Sequence, residues 1–203
     1  IDGGPGNDVL GVKGSAKADS MSIKARGRIA VVQANEGSLT ITGMENAFLA
    51  PGTGADTVRI GSLAGTGMAS VAVDLYSQKN PDRMADTVYL EGTTGADRLT
   101  VGVKEKVVVV AGMTPAVAIG GADDAMDRLR ISTGRGWDRV TVSPDAMKVM
   151  DIKYDLGRDQ QPRQADRPFK SPAPVRKDPL SHLFRHNPFA RIAAQQVAVV
   201  LRH

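Results

Sequence analysis

The sequence of 203 residues has no cysteine, which excludes both a disulfide framework and thiolate-held metals. Aromatic residues make up only 4% of it. Its three histidines, His182, His186 and His203, all lie near the C-terminal end, so the first 157 residues have no imidazole for acid–base chemistry near neutral pH. Long apolar runs are missing as well. The longest, Val107 to Ala122, is interrupted by Gly112, Pro115 and Gly120 and is too short to cross a bilayer as a helix. No basic-then-apolar leader opens the chain, which starts at Ile1 inside what reads as a structural repeat; the expectation is a mature or excised piece of a larger protein.

What is present divides into two regions. All 22 glycines lie in residues 1–157, where 17 basic and 19 acidic residues leave a net charge of −2. Residues 158–203 carry six of the eleven prolines and nine Lys and Arg against three Asp, a net of +6. Within this second region, 158–179 reads as a disordered Pro/Arg-rich linker. Residues 180–203 read as a short amphipathic helical tail, with Asn187 as N-cap, Pro188 in the first turn, and Phe189, Ile192, Ala193, Val197, Val200 and Leu201 on one face. Such a tail would cap an open core, signal export, or lie on an anionic surface. The linker has a single aromatic, Phe169, too few to support nucleic-acid binding.

In residues 1–157 apolar residues alternate with period two in short runs, such as Met21 and Ile23, Val58 and Ile60, Val88 and Leu90, Leu129 and Ile131. Each run is the signature of a strand with one buried face. The runs also recur as doublets. Asp86-Thr87-Val88-Tyr89-Leu90 is followed by Asp97-Arg98-Leu99-Thr100-Val101, and Asp127-Arg128-Leu129-Arg130-Ile131 by Asp138-Arg139-Val140-Thr141-Val142. First members at 8, 46, 86 and 127 define about four units of roughly forty residues, each reading as two coils. A unit that small cannot bury its own apolar face, so the copies must stack; the expected fold is an all-β, right-handed parallel β-roll or β-helix solenoid.

The opening Gly3-Gly4-Pro5-Gly6-Asn7-Asp8-Val9-Leu10 matches the nonapeptide G-G-x-G-x-D-x-U-x. In this it resembles the RTX, or hemolysin-type, calcium-binding repeats of bacterial secreted proteins. Degenerate copies end at Asp19, Asp56, Asp97 and Asp138, each with a Gly-containing turn and an aliphatic residue after the Asp. The resemblance implies a β-roll whose turns bind Ca²⁺ through the Asp carboxylate and turn carbonyls, folding outside the cell where calcium is abundant. It points to Asp2, Gly3, Gly4, Gly6 and Asp8 as the best calcium site and to Asp19, Asp56, Asp97 and Asp138 as weaker ones. Calcium takes six to eight oxygens, and glycines let backbone carbonyls converge. The competing reading for each Asp is closure of its own turn through backbone hydrogen bonds. The cluster Asp123-Asp124-Asp127 reads as a solvated turn or a cation site.

One coil after Asp8 the sequence places Ala25-Arg26-Gly27-Arg28, which leaves Asp8 without an acidic neighbour and in need of upstream repeats of a parent chain. Asp86 and Asp127 are expected two coils apart. Trp137, the only tryptophan, is expected over the end of the core. No constellation of nucleophile and base emerges, Gly65-Thr66-Gly67 lacks the lysine of a phosphate loop, and His182 with His186 lack a third ligand. The expected function is a non-enzymatic, calcium-binding module of a secreted or cell-surface bacterial protein. The alternatives are a calcium-independent adhesive or spacer solenoid and a carbohydrate-active β-helix, with a cell-surface glycan as partner.

Overall fold

The computed structural model describes residues 1–77, 80–157 and 198–200. The period-two alternation produces strands throughout, and no α-helix occurs among the described residues. The chain passes back and forth between two mixed sheets. β1 (Val9–Ser15) lies in an eight-stranded sheet; β2 (Ser20–Arg26), β3 (Ile29–Ala34) and β4 (Gly37–Ile41) form an antiparallel meander in a seven-stranded one. β5 (Asn46–Gly52) returns to the first sheet, β6 (Thr57–Ile60) to the second and β7 (Ser70–Asp74) to the first again. A small hairpin of β8 (Tyr76–Ser77) and β9 (Asn80–Pro81) follows. β10 (Thr87–Glu91) rejoins the seven-stranded sheet, and β11 (Arg98–Lys104), β12 (Val107–Ala111) and β13 (Ala116–Gly120) make a second meander, this time in the eight-stranded sheet. β14 (Arg128–Ser132), β15 (Arg139–Val142) and β16 (Asp151–Asp155) continue the alternation.

Between the two meanders the ladders are parallel. β16, β14, β10, β6 and β2 run side by side in one sheet, and β13, β7, β5 and β1 in the other. Parallel register puts like residues in file: Met21, Val58, Val88 and Leu129 form one inward row, and Ile23, Ile60, Leu90 and Ile131 the next. Across from them stand Leu10, Ala47, Val71 and Val117, then Val12, Leu49, Val73 and Ile119. These residues are buried and form a single core. Each large aliphatic side chain so enclosed contributes about 1.5–3 kcal/mol, which is why short strands suffice.

Two expectations are corrected here. The forty-residue unit does not span two coils: Asp86 and Asp127 precede β10 and β14, which pair directly, and the Asp residues before successive strands of that sheet are 37, 30 and 41 residues apart. β7 is an extra pass through the eight-stranded sheet that begins at Ser70 with no Asp before it, so the doublets change sheet at that point. The C-terminal amphipathic helix is also not what forms where the chain is described. Ala198–Val200 is a strand, β17, parallel to β1 with Ala198 opposite Gly11. Valines favour extended backbone, and the edge of β1 offers unpaired backbone groups for it to bond. The linker 158–179, the three histidines and the rest of the expected helix lie outside the described residues.

Candidate functional site

The aspartates ending the Gly-containing turns stand in file at the rim of the stack, each just before a strand. In the column that starts the seven-stranded sheet, the N–H of Asp19 donates to Oδ1 of Asp56 at 2.7 Å, that of Asp56 to Asp86 at 2.8 Å, and that of Asp86 to Asp127 at 2.9 Å. A second column repeats the bond from Asp97 N–H to Oδ1 of Asp138 at 2.8 Å. Main-chain bonds run beside them, Thr57 N–H to Asp19 C=O and Thr87 N–H to Asp56 C=O, so neighbouring turns are doubly tied. At three of these aspartates the other carboxylate oxygen closes the turn. Oδ2 of Asp19, Asp97 and Asp127 accepts the N–H four residues earlier, from Ser15, Thr93 and Asp123, at 2.6–2.8 Å. Asn35, in the left-handed conformation, ends the first column by donating its side-chain amide to Asp19 Oδ1.

Stacked carboxylates out of water are electrostatically expensive. Burial pushes Asp86 up to about 8, against the lowering effect of the Asp56 N–H, with repulsion from Asp127, Asp56 and Asp82 adding to the rise. Asp56 is raised to about 6, again chiefly by burial, opposed by the Asp19 N–H and reinforced by Asp19 and Asp82. Asp127 is raised by burial in the same way. Oδ2 of Asp56, Asp86 and Asp138 is buried without a hydrogen-bond partner, as is Oδ2 of Asp8.

The N-terminal nonapeptide folds as a turn against the next rung. Asp2 Oδ1 accepts the Gly4 N–H at 3.2 Å, Gly3 N–H donates to the Thr42 carbonyl, and Gly6 packs beside Asp8. Asp8 does have an acidic neighbour: its N–H donates to Oε2 of Glu45 at 2.8 Å. Arg26-Gly27-Arg28, expected beside it, is instead the tip of the β2–β3 hairpin. The register pairs Val9 with Asn46, which sets Glu45 opposite Asp8, while Asn46 bonds Asn7 through its side chain and Asp8 C=O through its backbone N–H.

No family model, curated protein or solved structure matches this chain. The residues alone therefore carry the test of calcium fit. At Asp19 and Asp97 both carboxylate oxygens already accept hydrogen bonds, from Asn35 and Ser15 and from Thr93. Among the described residues no three acidic or histidine side chains converge as a metal group. The donor sets of Asp19 and Asp97 thus match turn closure, whereas Asp56 and Asp138 each keep a buried Oδ2 without a hydrogen-bond partner. At the N-terminal turn the orphaned Asp8 Oδ2, with the exposed Asp2 on the same turn, fits a cation as a partial shell, the remainder falling to carbonyls and water.

Other expected sites separate. Asp86 and Asp127 are on adjacent rungs, not two coils apart. Asp123 closes its own turn by accepting the Ala125 N–H, and Asp124 is exposed. Trp137 does not cap the core: it is 64% exposed on the turn before Asp138.

Proposed function

We propose that the chain is a non-enzymatic structural module: a right-handed two-sheet β-solenoid, interrupted by two inserted meanders, whose aspartates bind rung to rung where a related roll would use calcium. The observation that carries this is the column Asp19, Asp56, Asp86, Asp127, in which each N–H donates to the next carboxylate. Supporting the solenoid are the parallel ladders and the alternation of the chain between sheets. The spacer or adhesive role in a larger secreted or surface-exposed bacterial protein rests on the Gly/Asp turn pattern and the absence of cysteine.

A second reading places calcium at the N-terminal turn, favoured by the unpartnered Asp8 Oδ2. There the ion would supply charge neutralisation and bind only the folded turn, with Asp8 and Asp2 as its side-chain ligands; a ligand at a hundred times its dissociation constant stabilises by about 2.7 kcal/mol. Thermal melting of the full chain in excess chelator, millimolar calcium or millimolar magnesium tests both readings. The expected result is a cooperative β-sheet melt in chelator, with any calcium-specific gain lost in Asp8→Asn. A chain that is unfolded in chelator and folds only with calcium would overturn the aspartate-held module.

A further inference from the structure

The stacked aspartates give the sheets a direction. In each such pair the N–H belongs to the earlier rung and the accepting carboxylate to the later one, as from Asp19 to Asp56 and from Asp97 to Asp138. A stack built this way ends with a free carboxylate on its first rung and a free N–H on its last. The eight-stranded sheet shows both. Asp8, before β1, accepts no hydrogen bond on its carboxylate among the described residues, and its Oδ2 is buried. Asp138, before the outermost strand β15, donates its N–H to nothing among the described residues. The turns leading to the two share the pattern Gly-x-Gly-x-Asp, Gly4 to Asp8 and Gly134 to Asp138.

The backbones of the two strands match. Arg139 and Ser143 donate to the carbonyls of Asp97 and Val101, so the alternate residues Asp138, Val140 and Val142 turn their N–H and C=O groups to the open side of β15. On β1, Asp8 C=O accepts the Asn46 N–H, which leaves the backbone groups of Val9, Gly11 and Lys13 facing away from β5. The parallel ladders, with the two reversals of the β11–β12–β13 meander, give β15 and β1 the same direction. Inward residues correspond too, Leu10 and Val12 on β1 and Val140 and Val142 on β15. Leu99 and Val101, one strand in from the edge, are 2% and 0% exposed, whereas their partners Val140 and Val142 are only half-buried. The core is unfinished at that end.

We propose that copies of this chain join head to tail, β15 of one adding to the edge of β1 of another, with the Asp138 N–H donated to the Asp8 carboxylate. Val140 then stands opposite Leu10 and Val142 opposite Val12, the inward register that β15 already keeps with β11. β17 guards this edge. It pairs only with Gly11, Val12 and Lys13 and stops short of Asp8, so the four residues of β15 behind an aspartate N–H make the fuller ladder. A strand tethered to the same chain competes at high effective concentration, which keeps the contact weak until β17 is released. The contact is heterologous and does not close on itself, so it builds an open file of copies. In the other sheet Ile1 and Gly3 already bond along the edge of β4, at Thr40 and Thr42, and the joint lies in the eight-stranded sheet alone. The inference rests on the rung-to-rung aspartate reading and adds a partner to it.

Sedimentation of the full chain from micromolar to millimolar concentration, in excess chelator to keep any cation off Asp8, tests it. The expected result for the native chain is weak self-association that Val140→Pro abolishes. Proline there gives up an N–H on the open side and no bond to β11. Val199→Pro, at the centre of β17, removes the competing strand and is expected to tighten association about tenfold or more, into dimers, trimers and longer files. Adding Asp8→Ala to Val199→Pro is expected to weaken association about tenfold, the loss of one charge-assisted hydrogen bond. A melt of each variant confirms the fold. Native and Val199→Pro chains that are folded and both monomeric, association unchanged by Val140→Pro or by Asp8→Ala, or a closed dimer that grows no further would each overturn the assignment. Failure of the aspartate-linked stack itself would show differently, as a chain unfolded in chelator.

Discussion

Replacing Asp86 with asparagine is expected to stabilise the protein at pH 8, although it removes a buried, hydrogen-bonded carboxylate. Asparagine keeps an oxygen to accept the Asp56 N–H, and its amide replaces the oxygen that has no partner. It also removes a negative charge that faces Asp56, Asp82 and Asp127. The sign of the pH dependence follows from linkage. A carboxyl whose folded value is raised above its unfolded value near 3.8 holds its proton more tightly when folded, so its contribution is fully present below that value and lost as pH rises. For Asp56 the loss runs through about 6 and for Asp86 through about 8. The native protein is therefore expected to melt higher at pH 5 than at pH 8, and Asp86→Asn to flatten most of that difference, a gain of about 2–4 kcal/mol at pH 8. Paired melts at the two pH values check this. A native melting temperature that rises from pH 5 to pH 8, or a variant destabilised at pH 8, would show that the column is not strained by its charges.

Alanine at Gly52 is expected to be among the most damaging single substitutions. Gly52 has φ of 110°, and a Cβ there would sit 2.0 Å from the Ser15 carbonyl of the adjacent rung. The backbones of two turns meet at that point, so relief requires the rungs to part, at about 3–5 kcal/mol. Gly65→Ala provides the contrast. Its φ of 83° imposes the same left-handed penalty, but nothing lies within 4 Å of the added carbon, so the cost is about 1–2 kcal/mol. Urea unfolding of both variants separates the conformational term from the stacking term; equal losses would mean the turns are not in tight register.

The β-character and the inward rows were legible in the sequence because period two survives in the strands of the parallel ladder, where Met21, Val58, Val88 and Leu129 fall on like positions of their runs. The turn aspartates were legible too, as recurring D-x-aliphatic signals. Their partners were not. A repeat in sequence records that a turn returns to the rim but not to which sheet, and β7 shifts the count because Ala69 precedes its first paired residue, Ser70, where an Asp precedes the others. Asp86 therefore stacks on Asp56 rather than beginning a fresh doublet. The β11–β12 turn is a similar case: Glu105 and Lys106 adopt φ of 51° and 66°, a conformation usually announced by Asn-Gly, and are held there by the long pairing of the valine-rich strands. The match between the two ends of the eight-stranded sheet was invisible for the same reason. Asp8 and Asp138 end turns of one pattern, but only the strand order sets β1 and β15 towards opposite ends of one sheet.

Amide hydrogen exchange, resolved by residue, tests the aspartate-linked stack most directly. The account predicts that the N–H groups of Asp19, Asp56, Asp86 and Asp97, though they belong to turns, exchange as slowly as the central residues of β6 and β10, because each is buried and donates to the next carboxylate. Exchange of these four amides at the rate of the exposed loop at Ala64–Gly65 would contradict it.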